Sequence, residues 1–114
     1  MARVPNAEKA IIDANKLHGY VLSSVHPIGR FKAAFFQKLG YSAEDWESFE
    51  RQLRELLVST DAAVVEGSQY GQKFVVEGLL IDPGGEPVQI VTVWVILRGE
   101  DVPRFVTAYP GGSR

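Results

Sequence analysis

The sequence predicts an α+β domain: about three N-terminal helices packed on a C-terminal four-stranded antiparallel sheet. Three observations predict it. Apolar residues recur at helical spacing as far as Leu57. Beyond Thr60 the chain changes to short runs rich in β-branched residues. The connections between the later runs are short and carry glycine, proline and aspartate, which favours antiparallel hairpins.

The elements follow in order. Ala10-Ile11-Ile12 is a short apolar run of the kind an edge strand carries. Asp13 is placed to cap a helix over residues 14–22, with Leu17 and Val21 on one face. Residues 23–27 form a loop. A second helix is expected over residues 29–39, with Phe31, Ala34, Phe35 and Leu39 as its apolar stripe and Gly40 as its stop. Ser42 and Asp45 read as a capping box for a third helix over 43–58. Trp46, Phe49, Leu53 and Leu57 line its inner face, and Glu47, Glu50, Arg51, Arg54 and Glu55 its solvated one. Strands are expected over 62–67, 72–81, 88–97 and 102–109. The third is apolar on both faces, as a central strand is. Asp82-Pro83-Gly84-Gly85 and Arg98-Gly99-Glu100-Asp101 are the turns.

The 114 residues fit one domain, residues 1–114, and a hydrophobic content of 46% supplies its core. There are no cysteines, so disulfides, thiolate metal sites and cysteine nucleophiles are excluded. The N-terminus lacks the apolar run of a secretory signal, and no stretch has the length of a membrane span. The expectation is a soluble, cytoplasmic protein. The net charge of −2 speaks against a general nucleic-acid binder, but the charges are unevenly placed. No acidic residue lies between Asp13 and Glu44, whereas Lys16, Arg30, Lys32, Lys38, His18 and His26 do. That window is a local basic face able to meet an anion.

Within it, His26 stands in a loop before the second helix, and Arg30 and Lys32 follow closely. A histidine for proton transfer, two cations and a helix N-terminus make a phosphate-binding corner. Each also has an ordinary use: His26 can cap or pack, and the cations can be solvated. Thr107 and Tyr109 share a face of the last strand, and their hydroxyls can orient a phosphate or a ribose. Thr92 shares a face with Trp94 on the central strand; Trp94 reads as core, and Thr92 joins a site only where that face fronts a cleft. Arg104 alternates with Phe105, which puts it on the face away from Thr107 as a surface cation. No phosphate loop, serine-hydrolase elbow or histidine pair with metal-ligand spacing is present. Cofactor-free, metal-independent acid–base chemistry is the enzymatic option the sequence encourages.

These residues carry a resemblance. Val4-Pro5-Asn6-Ala7-Glu8, Ile12-Asp13, Lys16-Leu17, Tyr20-Val21-Leu22 and His26-Pro27 with Gly29, Lys32 and Ala33 resemble a family of uncharacterised bacterial domains. Such domains occur as small stand-alone proteins and at the C-termini of larger toxin-like proteins. Tyr70-Gly71, Val75-Val76, Thr92-Val93-Trp94, the run from Gly99 to Arg104 and the closing Val106-Thr107-Ala108-Tyr109-Pro110 extend the match over nearly the whole chain. The layout is similar to that of the barnase–EndoU–colicin–RelE-like ribonuclease toxins. The resemblance implies RNA cleavage by 2′-OH attack on the adjacent phosphate. His26, Lys32, Thr107 and Tyr109 would be catalytic, Arg30, Thr92 and Arg104 would bind substrate, and a small inhibitor or antitoxin would be the partner. The competing reading is a non-catalytic binding protein, such as an antitoxin or immunity protein. The sequence pI of about 5.6 and the acidic third helix favour it.

Overall fold

The computed structural model of the chain describes residues 4–17, 30–41, 43–60, 63–69 and 71–111, with the backbone alone at 30–33, 43, 63–66 and 68. The class is α+β. A 3-10 turn, Ala7–Lys9, leads into α1 (Ala14–Lys16), α2 (Arg30–Lys38) and α3 (Trp46–Ser59); four strands follow, β1 (Ala63–Ser68), β2 (Gly71–Ile81), β3 (Pro87–Leu97) and β4 (Arg104–Pro110). The strands form one antiparallel sheet in the order β1-β2-β3-β4. Neighbours in sequence are neighbours in space, as short hairpin connections require.

Local chemistry explains most boundaries. Asp13 caps α1, its carboxylate accepting from the Asn15 amide at 2.9 Å. The rest of the helix expected there, with His18 and Val21, and the loop that holds His26 lie outside the described residues, as does Ser42. Helix α2 ends in a Schellman motif: Gly40 N–H donates to Gln37 O and Tyr41 N–H to Phe36 O, with Gly40 at φ 108°. A left-handed backbone there favours a residue without a Cβ. In the β2–β3 turn the Asp82 carboxylate accepts from the amides of Gly84 and Glu86, both at 2.9 Å.

Two expectations need correction. The inner face of α2 centres on Phe36, which is fully buried, whereas Ala34 is exposed and Phe35 and Leu39 are only partly covered. Phe36 stacks against Phe35 and Phe49, with ring centroids 5.0 and 4.9 Å away. The run Ala10–Ile12 is not a strand. Only Ile11 pairs, in an isolated parallel bridge at Arg104, donating to Pro103 O and accepting from the Phe105 amide. Strand β4 itself begins at Arg104, because Pro103 has no N–H to extend the ladder.

Helix α3 lays Phe49, Leu53, Leu56 and Leu57 against the sheet. On the sheet side the core takes Phe74, Val76 and Leu80 from β2, Ile90, Trp94 and Ile96 from β3, and Phe105 and Ala108 from β4. Arg54, on the solvated face of α3 with its side chain partly exposed, also makes specific bonds. It pairs with Glu50 at 2.8 Å and donates to Ala10 O at 2.6 Å, tying the N-terminal segment to α3. The described part of β1 ends opposite Val75, so β2 runs on past it. At Ile81 the helical layer supplies the partners: Gln52 Oε1 accepts from its amide, and the Tyr41 hydroxyl donates to its carbonyl at 2.7 Å. Among the described residues no helix is long and apolar enough to cross a membrane.

Candidate functional site

Cross-strand register decides which side chains share the face of the sheet that the helices leave open. Residues opposite one another on neighbouring strands point the same way. Phe74, Trp94 and Phe105 form one row, and Val76, Thr92 and Ala108 the next; both rows are buried under the helices. The intervening rows project to the other side: Lys73–Val95–Arg104, Val75–Val93–Thr107 and Glu77–Val91–Tyr109. Gln89 stands beside Leu79 in the following row.

A bulge in β4 makes this arrangement. Phe105 pairs with Trp94, but Thr107, not Val106, pairs with Val93. The extra residue resets the alternation. Phe105 and Ala108 both point inward, and Arg104, Thr107 and Tyr109 all point outward. The expected separation of Arg104 from Thr107 is therefore wrong: strict alternation does not survive the bulge.

The open face has an apolar floor and a polar rim. Val91 and Val93 are buried between the flanking strands, and Val75 and Val95 are half-buried. Lys73 and Arg104 stand at one end of the floor, about 10 Å apart across two strand spacings. Glu77 and Tyr109 stand at the other, with Thr107 between the ends of the β4 side. Arg104 is oriented by a two-point pair with Glu100, at 3.0 and 3.1 Å. The hydrogen bonds from Arg104, with its charge, hold the Glu100 carboxyl below the ordinary carboxylate value, and Glu100 in turn strengthens the charged form of Arg104. At the far end Gln89 Nε2 donates to Glu77 Oε2 at 3.0 Å. An ideal Cβ at Gly111 would stand 2.8 Å from that same oxygen, so the absent side chain leaves room for the carboxylate to reach across β3 toward β4.

Of the residues expected to form a site, the sheet brings Arg104, Thr107 and Tyr109 together. It separates Thr92 from them. Thr92 is fully buried on the opposite face, where its hydroxyl donates to Val76 O at 3.0 Å and accepts from Trp94 Nε1 at 2.8 Å. Its assignment to substrate binding is corrected: both hydrogen-bonding functions are used inside the core. Arg30 and Lys32 lie in the first turn of α2, and His26 lies outside the described residues. Helix α2 packs on β4 within the helical layer, on the side of the sheet away from the open face. Lys73 and Glu77 went unnoticed in the sequence. They sit some thirty residues before β4, and only strand register makes them neighbours of it.

A helical layer on one face of an antiparallel sheet, with a rimmed opposite face, defines a small α+β domain. The chain belongs to a family of domains of unknown function, DUF6883, whose model matches residues 3–112. No curated protein matches it. Among solved structures, a chain of a contact-dependent growth inhibition toxin–immunity protein complex from Klebsiella pneumoniae 342 is similar, with a TM-score of 0.68 at 17% identity. The likeness covers 89% of this chain and 99% of that one, and at this identity it is a likeness of fold.

Proposed function

We propose that the protein is a metal-independent ribonuclease of a bacterial toxin system, acting in the cytoplasm on RNA and held in check by a small cognate inhibitor. The observation that carries the reading is the meeting of Arg104, Thr107 and Tyr109 with Lys73 and Glu77 over one apolar floor. Cations at one end of a strand-wide face, a hydroxyl midway, and a phenol and a carboxylate at the other end suit a single-stranded polyanion with exposed bases. The shared fold with a chain from a toxin–immunity complex supports the toxin setting. In the reaction the ribose 2′-oxygen loses its proton and bonds to the adjacent phosphorus. The bond to the 5′-oxygen breaks, and that oxygen takes up a proton, leaving a 2′,3′-cyclic phosphate. His26 serves as base or acid, and Lys32 and Arg30 offset the charge that builds on phosphorus. Thr107 and Tyr109 orient the substrate, and Arg104 holds a flanking phosphate.

The test is direct. Purified protein in a metal chelator should cut single-stranded RNA to 2′,3′-cyclic ends, and its induced expression should arrest growth. His26→Ala should slow cleavage about 10²-fold or more. RNA left intact in the chelator and unimpaired growth would move the protein to the second reading, a non-catalytic partner in a toxin system. The exposed acids Glu44, Asp45, Glu47 and Glu55 along α3 and the turn before it favour that alternative, since they present a face suited to a basic protein.

A further inference from the structure

Among the described residues four large apolar side chains stand exposed: Ile11, Leu79, Ile81 and Tyr109, with Leu79 the most open at 59%. Exposed apolar residues scattered singly are ordinary. These are not scattered. Leu79 and Ile81 flank the buried Leu80, and Tyr109 follows the buried Ala108. Ile11 stands between the buried Ala10 and Ile12 and is bridged to Arg104. All four therefore project on the side of the open face, around the floor of valines from β2 and β3. Apolar surface gathered on one side of a sheet marks a place of association.

We propose that a second copy of the chain covers this face, in a symmetric sheet-on-sheet dimer about the row Val75–Val93–Thr107. With that row as the two-fold axis, the strands of the two copies run antiparallel, and each outward residue meets the one equally far beyond the axis. On β2, Lys73 meets Glu77, and Gly71 meets Leu79. On β3, Val93 meets its own counterpart and Val91 meets Val95. The bulge in β4 keeps Arg104 in the row of Lys73, so Arg104 meets Tyr109. These pairs are complementary: opposite charges, a glycine under the most exposed leucine, valine on valine, and a guanidinium on a phenol ring. Gln89 with Leu97, at the outer ends of β3, is the one pair without such a match. Glu77 keeps its bond from Gln89, since attraction between charges asks for no vacant acceptor position. Aligned sheets pack about 10 Å apart, which suits short valines at the centre. Lys73 and Glu77 lie about 6.8 Å from the axis, within reach of long side chains. Three strands and five rows cover on the order of 600 Å² of accessible surface per copy, near the lower bound for a specific interface, so the dimer is weak and reversible. The inference does not rest on the ribonuclease reading: RNA and a second copy compete for one face, and the dimer forms without RNA.

Sedimentation equilibrium of the intact protein, free of RNA, from about 1 to about 300 µM tests the pairing. The mass should double with a dissociation constant on the order of 10 µM. Leu79→Arg, at an exposed position, sets a charge against the partner's backbone and should weaken the dimer about 10-fold or more while the thermal midpoint holds. Lys73→Glu and Glu77→Lys each set like charges against one another across the axis, and each alone should weaken it by a similar factor. An equimolar mixture of those two variants restores opposite charges at both positions and should dimerise as the wild type does. That recovery reads the register itself, which a general loss of structure would not restore. Lys73 and Leu79 are exposed, so their variants decide the matter even where Glu77→Lys fails to fold. A wild type that stays monomeric at the highest concentration overturns the dimer. A dimer that persists in Leu79→Arg or Lys73→Glu, or two folded charge variants that fail to pair when mixed, overturns this face and register.

Discussion

The indole N–H of Trp94 donates to the hydroxyl of Thr92, 2.8 Å away on the buried face of β3, and that hydroxyl donates in turn to Val76 O. The relay lets a central strand bury two polar groups without leaving either unsatisfied. Thr92→Val keeps the shape and removes both bonds. The expected loss is about 1–3 kcal/mol, the cost of an orphaned buried donor. Thr92→Ser should recover most of it. Urea unfolding checks this: the midpoint should fall while the slope stays unchanged.

Tyr41 links stability to alkaline pH. Its ring packs against Phe49 at 5.0 Å, and its hydroxyl donates to Ile81 O. Burial, with Asp82 nearby, pushes its pKa up from 10.0 to about 12. The folded protein therefore holds this proton more tightly than the unfolded chain does. The contribution is complete below pH 10 and is lost as pH rises through about 12. Between those limits the wild type should lose stability more steeply than Tyr41→Phe. Parallel slopes for the two proteins would contradict the assignment.

The N-terminal segment is held from two sides. Ile11 bonds to the backbone on both sides of Arg104, and Arg54 reaches Ala10 O. Arg54→Met should keep the packing of the side-chain stem and lose the tether. The expected cost is about 1 kcal/mol, at the low end for a bond from a charged donor because the guanidinium is partly exposed. The signature is local. Exchange of the Ile11 amide, which donates to Pro103 O, should accelerate, while the amides of β3 stay protected.

What the sequence made legible was what local chemistry dictates. Asp82 and the glycines after it announce their turn because one carboxylate can accept from two turn amides, and Gly40 announces the end of α2 because few other residues adopt its backbone. The run from Val88 to Leu97 shows its central place because both its faces are apolar. Adjacent phenylalanines defeated the same reasoning in α2: spacing does not say whether Phe35 or Phe36 faces the core, and packing on Phe49 decides it. The open face was harder still. Glu77 meets the row of Tyr109 only through two strand pairings, and Arg104 joins Thr107 only because Val106 bulges. Neither the bulge nor the register is written in any short stretch of sequence.

That same bulge makes a prediction about charge. Arg104 is presented to the open face, but Glu100 holds its guanidinium at two points and partly neutralises it. Arg104→Ala should weaken binding of single-stranded RNA, and the slope of log affinity against log salt should become shallower by about 0.7, the share of one phosphate contact on a single strand. Glu100→Gln should act in the opposite direction, because it releases the guanidinium and removes a negative charge from the rim. Both residues are solvent-exposed, so neither change should move the thermal midpoint appreciably. Fluorescence anisotropy of a labelled oligonucleotide across a salt series separates the two effects. If Arg104→Ala leaves both affinity and slope unchanged, the polyanion does not cross this end of the sheet.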